Sequence, residues 1–365
     1  MLRLFEVEGF KNFRDRITLD FSNVRDYRFN KECITDNFLG KMIIYGKNSV
    51  GKTNFGLALF DIVAHLTTKN VSPHLYDYYL NADNSSGYAA FHYVFAFENR
   101  IVDYVYHKND KQELLYEQLH IDDELLFSFD YVKKTGDLSG IAKISPTLNC
   151  DFDDIGCVLT YIVNNTILEE NHPLRKMMYY VNHMLWFRVL DENRYIGYTA
   201  SSKNYFDFIF ENDLVQEFET FLHKAGVHED LIALTDPDGK KRLYFNAKVP
   251  LPFFSVASSG TKALYTFFYW YKTAEDVSFM FLDEFDAYYH YELSETIVKI
   301  AEQMKHTQVI FTSHNTNLLS NRIMRPDCYF VLTPNKLTSI VDATDRELRE
   351  GHNLEKLYMS GEFDG

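Results

Sequence analysis

Eight consecutive residues, 46–53, have the composition of a phosphate-binding loop. They read G-K-N-S-V-G-K-T, fit the pattern G-x-x-x-x-G-K-[ST], and lie between an apolar run and a helical pattern. In such a loop backbone N–H groups surround the β-phosphate, the lysine reaches the β and γ oxygens, and the hydroxyl holds Mg²⁺. A glycine-rich turn with a surface lysine is the alternative, and the flanking elements argue against it. We expect ATP to be bound by Gly46, Asn48, Ser49, Gly51, Lys52, Thr53 and Asn54.

A short acidic segment supplies the carboxylates that such a loop needs. The apolar residues 279–282 predict a buried strand, and Asp283 and Glu284 follow at its carboxyl end, where ligands of open α/β sheets bind. Phosphoryl transfer requires a carboxylate for Mg²⁺ and a group that polarises the attacking water. We therefore expect Asp283 and Thr53 to hold Mg²⁺ and Glu284 to act as the general base. A strand that ends in two solvated acids is the alternative.

A second candidate for phosphate binding precedes the acidic strand. Residues 257–262 form a turn of small residues that opens an apolar helix, with free N–H groups and the Ser258 hydroxyl. The separation between Lys52 and Asp283 is far longer than the single βαβ unit of a compact GTPase-like domain. One nucleotide can hardly use both turns of one subunit, which suggests that two subunits share each nucleotide. An ordinary serine N-cap is the alternative.

The spacing of apolar residues predicts the elements that must position these groups. Strands are expected at 2–8, 17–21 and 42–45, a helix from 53 to about 67, an antiparallel aromatic meander at 90–129, helices between about 155 and 225, a turn at 236–239, and a strand, helix and strand at 277–282, 293–304 and 309–312. The last three give the βαβ rhythm of a parallel sheet.

The chain has 365 residues, more than one hydrophobic core usually serves. We expect three parts. Residues 1–150 form a nucleotide-binding lobe with the phosphate loop and the meander, and residues 151–250 form an inserted, mainly helical lobe. Residues 251–365 carry the small-residue turn, the acidic strand and the remainder of the nucleotide-binding lobe.

Composition restricts the partners. There are 37 Lys and Arg against 52 Asp and Glu, a net charge of −15, so we expect DNA contact to be weak and confined to a local patch such as residues 240–242. The scattered cysteines argue against metal knuckles and a disulfide framework. No signal segment or membrane-spanning run is present, so we expect a soluble, cytoplasmic protein without a membrane partner.

With these motifs in this order, the chain resembles the ABC-type ATPases of the SMC and RecF branch. Beyond the loop and the acidic strand, the matching segments are F-K-N-F at 10–13, S-S-G-T at 258–261, F-D-A at 285–287 and T-S-H-N at 312–315. The resemblance implies an α/β ABC-ATPase head with a mixed phosphate-loop sheet, an antiparallel β-meander and an inserted helical lobe. It further implies nucleotide contacts by Ser258 and Gly260 of the signature motif and by Asp286 of the D-loop, and a catalytic switch role for His314.

The chain is more specifically similar to the small ATPases grouped with the OLD family in bacterial abortive-infection and anti-phage operons. The Y-E-Q-L segment at 116–119 and the tail at 353–363 carry this resemblance. It implies an ATP-hydrolysing switch that closes as a head-to-tail homodimer or higher oligomer and controls a separately encoded effector or toxin. The alternative is a RecF-like repair ATPase that clamps DNA.

Three departures from the family matter. No convincing glutamine loop follows the first helix, and Gln118 is a weak candidate for it. Long heptad arms are absent, which argues against chromosome tethering. We expect the nuclease of full-length OLD proteins to be missing; a nuclease activity would need a carboxylate cluster, for which Asp151, Asp153 and Asp154 are the compact candidate. His290 is either a D-loop contact or a helix N-terminal histidine.

Overall fold

The structure is a computed structural model that describes residues 1–67, 73–150, 156–188, 194–197, 205–273, 276–287 and 291–363. Its strands are β1 (Leu2–Glu8), β2 (Ile17–Asp20), β3 (Ile34–Thr35), β4 (Phe38–Leu39), β5 (Lys41–Tyr45), β6 (Ala89–Phe97), β7 (Arg100–Lys108), β8 (Leu114–Ile121), β9 (Glu124–Asp130), β10 (Thr135–Asp137), β11 (Met184–Arg188), β12 (Arg194–Gly197), β13 (Leu231–Thr235), β14 (Lys241–Phe245), β15 (Leu251–Pro252), β16 (Phe279–Asp283), β17 (Gln308–Ser313), β18 (Tyr329–Thr333) and β19 (Lys336–Ser339).

The α-helices in the same residues are α1 (Lys52–Leu59), α2 (Asp61–Leu66), α3 (Val158–Asn165), α4 (Pro173–Asn182), α5 (Phe208–Glu211), α6 (Val215–Lys224), α7 (Phe253–Val256), α8 (Ser259–Lys272), α9 (Tyr291–Glu302) and α10 (Leu354–Met359). None of the described helices combines the length and the apolar character needed to cross a bilayer.

The central sheet has the strand order β12-β11-β16-β17-β5-β18-β19. Its five inner strands run parallel, and the two edge strands pair antiparallel with their neighbours. Every residue of β5, β16 and β17 is buried, as expected for parallel strands that are covered on both faces. The predicted strands around the phosphate loop and the acidic segment are therefore confirmed.

The second sheet is fully antiparallel, in the order β10-β9-β8-β7-β6-β1-β2. Burial alternates along β7, so one face of the sheet packs inward and the other is more accessible. The aromatic meander is thus confirmed, and the first two strands of the chain extend it.

Helix α1 lies between the two sheets. On one side the Phe55 ring packs edge-on against Phe5 of β1, with ring centroids 5.7 Å apart. On the other side Gly56 faces β16 so closely that a Cβ atom there would lie 2.6 Å from the ring of Phe281. The position of the phosphate loop, which ends in this helix, is therefore fixed from both sides.

The continuous helix predicted from residue 53 to about 67 is divided at Phe60 into α1 and α2. At the start of α2 the buried carboxylate of Asp61 accepts hydrogen bonds from Tyr79 and Tyr106, each at 2.8 Å, and pairs with Lys108 at 2.6 Å. A buried charge is tolerated when it is paired and hydrogen-bonded in this way. The network attaches α2 to the antiparallel sheet.

The Gln308 side chain connects the two sheets. It lies at the start of β17, accepts a hydrogen bond from the Leu2 N–H at 2.8 Å, and donates one to the Leu2 carbonyl at 2.9 Å. Tyr180 of α4 donates to the same amide oxygen at 2.6 Å. The amide thus satisfies the β1 backbone where the ladder to β6 is irregular.

The segment 151–250 contains helices α3 to α6 but also strands, and β11 pairs in parallel with β16 inside the central sheet. This part of the chain therefore contributes a strand to the central sheet. The run Met184-Leu185-Trp186-Phe187 is short and continuously apolar, and periodicity alone does not distinguish such a strand from a buried helix.

The small-residue turn begins α8, which packs on α6 through aromatic rings. Phe268 of α8 lies 5.1 Å from Phe218 and 5.3 Å from Phe221, measured between ring centroids. The three-stranded sheet β13-β14-β15 precedes α7 and α8, with the predicted turn at 236–239 between its first two strands. The turn is confirmed. Ser258 thus lies at the start of the helix that packs on α6.

The contact between Gly56 and Phe281 can be tested directly. Gly56→Ala should lower the free energy of unfolding by about 1–3 kcal/mol, because the added methyl group overpacks a rigid site and the buried ring cannot move away. Gly351→Ala is the matched control, since a Cβ there meets nothing within 4 Å. Thermal and urea unfolding measure both variants, and equal stability of Gly56→Ala and the parent would contradict the close packing of α1 on β16.

Candidate functional site

The backbone of residues 46–53 has the conformation of an anion-binding turn. Ser49 and Gly51 have left-handed φ angles of 66° and 107°, and turns that combine left- and right-handed residues are the kind in which successive N–H groups make an anion-binding concavity. A Cβ at Gly46 would lie 2.8 Å from the Leu332 carbonyl oxygen, so the loop has no room for a side chain there. These constraints account for both glycines of the pattern.

Lys52 is buried at the first turn of α1. Its ammonium group donates to the Gly46 carbonyl at 3.0 Å and lies 2.7 Å from Nε2 of His314. Burial lowers the pKa of Lys52, while the charges of Glu284, Asp283 and Asp286 act in the opposite direction. The lysine is thus held at the mouth of the loop, beside all three acids of the acidic segment.

Asp283 and Glu284 are positioned by a hydroxyl group of the neighbouring strand. Thr312 of β17 donates to Oδ1 of Asp283 at 2.8 Å and accepts a hydrogen bond from the Glu284 N–H at 2.7 Å. Burial raises the pKa of Asp283, and the hydrogen bonds from Thr312 and Thr53 oppose that shift. The sequence alone assigns no role to Thr312. The one feature that could have identified it is a hydroxyl residue near the end of the strand that follows the acidic strand in the chain.

The backbone of Glu284 is in the left-handed region, with a φ of 48°. This conformation is strained for a residue with a side chain, and such strain is concentrated at functional sites. The carboxylate of Glu284 lies 3.8 Å from Nε2 of His314. His314 is therefore close to both the predicted base and Lys52.

Asp286 lies on the same edge of the sheet. Its Oδ2 accepts a hydrogen bond from the Ser313 hydroxyl at 2.6 Å, and that hydroxyl accepts one from the Asn315 N–H at 2.8 Å. Burial raises the pKa of Asp286, and the hydrogen bond from Ser313 opposes the shift. The segments 285–287 and 312–315 are thus joined by a hydrogen bond; the second, which contains His314, is called the switch segment below. His290 lies outside the described residues.

The aromatic segment 10–13 contacts the phosphate loop. A Cβ at Gly51 would lie 3.2 Å from Asn12 and 3.3 Å from the Phe13 ring. Asn54, one turn into α1, donates a short hydrogen bond to the amide oxygen of Asn12. This segment, whose sequence resembles a family motif, therefore packs against the phosphate loop and supports it.

Ser258 and Gly260 lie in the turn that begins α8. Ser258 is the N-cap residue, and its hydroxyl accepts a hydrogen bond from the Thr261 N–H at 3.1 Å. Within the part of the chain that the structure describes, the hydrogen bonds of this side chain are to Thr261. The capping alternative is therefore present in the structure, and a role in nucleotide binding stays a prediction.

Of two other candidates, Gln118 lies away from this edge of the sheet and the Asp151 cluster lies outside the described residues. Gln118 is on β8 of the antiparallel sheet, paired with Val105 and Ser128, and is not on the edge that carries the acids. Its neighbour Glu117 is buried and accepts hydrogen bonds from Tyr104 and from the N–H groups that begin α3. The cluster Asp151, Asp153 and Asp154 lies outside the described residues.

The donors at this edge suit a magnesium nucleotide. The Thr53 hydroxyl and the Asp283 carboxylate are hard oxygen ligands of the kind that Mg²⁺ prefers, and Thr53 is among the groups that lower the pKa of Asp283 against the effect of burial. The loop offers N–H groups and one ammonium group to phosphate oxygens. The residues present therefore fit both Mg²⁺ and the phosphate groups of a nucleotide.

Solved structures show the fold. The Smc head domain with a coiled coil and joint from Pyrococcus yayanosii has a TM-score of 0.50 and 10% identity, covering 93% of this chain and 96% of that chain. The SMC head domain from Thermotoga maritima has a TM-score of 0.45 and 15% identity, covering 93% and 98%. The SmcHead bound to the C-winged helix domain of ScpA has a TM-score of 0.48 and 15% identity, covering 92% and 96%. The predicted fold class is confirmed.

None of the curated protein sequences compared with the chain matches it. Residues 41–320 match the sequence profile of a family described as "AAA domain, putative AbiEii toxin, Type IV TA system". The matched segment begins at β5 and extends beyond β17, so it contains the phosphate loop, the acidic strand and the switch segment. Because it covers most of the chain, the protein belongs to this AbiEii-type AAA-domain family and has the fold of an ABC-type, SMC-like ATPase head.

Proposed function

We propose that this protein binds and hydrolyses ATP, closes head to tail with a second copy when ATP is bound, and opens after hydrolysis. The observation that carries the proposal is the convergence of Lys52, Glu284 and His314, with Nε2 of His314 lying 2.7 Å from Lys52 and 3.8 Å from Glu284. Lys52 comes from the first turn of α1, and Glu284 and His314 directly follow β16 and β17, so the three side chains meet at one edge of the sheet.

Each side chain then has a chemical task. A magnesium-bound triphosphate supplies the phosphoryl group and the metal that neutralises developing charge. Lys52 binds phosphate oxygens, and Thr53 and Asp283 hold the metal. Glu284 accepts the proton of the attacking water, while His314 orients Glu284 at the terminal phosphate.

The turn that begins α8 supports the shared site. Ser258 is exposed, and α8 has fourteen residues, so its N–H groups and dipole can act on an anion brought by another molecule. The Ser258 hydroxyl accepts the cap hydrogen bond from the Thr261 N–H and also shares a hydrogen bond with the Thr261 hydroxyl, in which either oxygen can be the donor. When Thr261 donates, the serine proton is available to a phosphate oxygen. We propose that Ser258 and Gly260 of one subunit complete the phosphate loop of the other.

The family description supports a proposal for the biological setting. The family description names a toxin and a toxin–antitoxin system. We propose that the nucleotide-dependent closure is a switch in anti-phage defence that holds or releases a separately encoded effector protein. The net charge of −15 per chain favours a protein partner over the phosphate backbone of a nucleic acid.

DNA clamping is the second candidate, because the fold is that of an SMC head. The exposed cations of residues 240–242 are the local patch that could serve it. However, Arg242 pairs with Asp238 at 2.6 Å and also with Asp236, which neutralises much of that patch. We therefore propose DNA contact as weak and secondary.

The assignment of the base and the lysine is tested by two variants. Lys52→Ala should abolish ATP binding, because the charge that neutralises the β and γ oxygens is removed. Glu284→Gln should keep ATP binding and lose at least about 100-fold in turnover through loss of the general base. Calorimetric binding and phosphate release measure the two effects. Hydrolysis by Glu284→Gln at the parent rate would show that another group is the base.

The shared site is tested by mixing. Ser258→Arg should leave ATP binding by each phosphate loop intact but prevent closure, because a bulky side chain occupies the place of the partner's phosphate. Loss of the cap costs about 1 kcal/mol, so thermal unfolding is used to confirm folding. In a mixture with Lys52→Ala, a mixed dimer retains one site with both halves intact and should recover ATPase activity. No recovery, once mixed dimers are demonstrated, would contradict sharing.

The choice of partner is tested with the Glu284→Gln form and ATP. A discrete protein should co-purify with this form and not with Lys52→Ala, which cannot close. In parallel, duplex DNA is titrated at about 150 mM salt, where weak electrostatic binding is screened. Nanomolar duplex binding without any co-purifying protein would reverse the order of the two candidate functions.

A further inference from the structure

Arg188 ends strand β11 directly beside the acidic segment. In the parallel ladder between β11 and β16, Arg188 is in register with Asp283. Neighbouring strands lie about 4.8 Å apart, so the two residues occupy adjacent places at the carboxyl edge of the sheet. Arg188 therefore shares the edge that carries the predicted metal carboxylate.

The face on which Arg188 lies is set by two rings. Trp186 packs on Phe60 at 5.7 Å and on Phe281 at 6.0 Å, and Phe281 contacts α1 at Gly56. Trp186 and Phe281 therefore face the helix that follows the phosphate loop. Because side chains alternate along a strand, Arg188 and Asp283, each two residues further on, are on that same face.

The side chain of Arg188 is held in place. It is half-buried, and its guanidinium carbon lies 5.4 Å from the centre of the Trp186 ring, a cation–π distance. Its charge also acts on Asp283. Burial raises the pKa of Asp283, and Arg188 is among the groups that oppose the shift. The guanidinium is thus close enough to act on groups at this edge.

The charges at this edge leave a place for a second cation. Asp283, Glu284 and Asp286 are three acids, and Lys52 is the permanent cation beside them on the loop side. The strand order places β11 on the other side of β16, so Arg188 and Lys52 flank the acids from opposite directions. A guanidinium has five donors in a planar fork, which matches two oxygens of a phosphate group.

We propose that Arg188 binds the terminal phosphate of the nucleotide and makes the site prefer a nucleoside triphosphate over a diphosphate. The inference rests on the proposed ATP function and deepens it. It assigns the sensing of the terminal phosphate to Arg188, which is in register with Asp283 in the central sheet, and not to the weak candidate Gln118, which is on β8 of the antiparallel sheet. The competing role is structural, with Arg188 serving only as a counter-ion for Asp283.

The test measures nucleotide affinity without turnover. Arg188→Ala is made in the Glu284→Gln background, and the binding of MgATP and of MgADP is measured by calorimetry. We expect the Kd for ATP to rise about 10- to 100-fold, the range for loss of charge-assisted hydrogen bonds, while the Kd for ADP changes by less than about twofold. A purely structural arginine would weaken both nucleotides equally or neither, and either result overturns the proposal.

Two further variants keep the test decisive. Arg188→Lys retains the charge but not the fork, so it should weaken ATP selectively by a smaller factor and serves if Arg188→Ala does not fold. Arg242→Ala removes another arginine that is paired with two acids, on β14, and should change neither affinity. If the Glu284→Gln parent binds no ATP, the proposed function fails together with this inference. If the parent binds ATP and both Arg188 variants bind it as the parent does, only the inference fails.

Discussion

Strand β17 hydrogen-bonds in parallel to β5 on one side and to β16 on the other, and this pairing aligns three strand ends. Thr312 and Ser313 are in register with the end of β5, and Phe311 is in register with Leu282. The phosphate loop, the acidic segment and the switch segment therefore begin at the same edge of the sheet. A slip of one residue in the β16–β17 ladder would turn the Thr312 hydroxyl away from Asp283 and Glu284.

The antiparallel sheet packs on the side of α1 that faces away from the central sheet and fixes the helix in place. Phe55 and Gly56 are adjacent in the chain and contact different sheets, so the helix cannot rotate without losing one contact. Interiors packed at this density transmit such constraints over several residues. The loop glycines allow the backbone conformation of the phosphate loop, and the packing of α1 between the two sheets fixes the position of that loop.

Local patterns were sufficient to predict most of the elements and the members of the candidate site. The phosphate loop, the acidic strand and the switch segment each combine residue types with a flanking element, and their elements occur where expected. What the patterns could not give is pairing between distant segments. Strand β11 was hidden because four apolar residues have no distinctive period, and its place beside β16 depends on a segment almost a hundred residues away. For the same reason, the position of Arg188 beside Asp283 and that of Thr312 beside the two acids were visible only once the strands were paired.

The strand order has a consequence for how the protein is made on the ribosome. β5, which leads into the phosphate loop, has β17 and β18 as its only neighbours in the described sheet, and both come from residues 308–333. During translation the loop emerges early, but its strand has no partner until most of the chain has been synthesised. Such non-local pairing slows folding and leaves an apolar strand in need of protection. A growing chain therefore cannot form its nucleotide site before the acidic strand and the switch segment are also present.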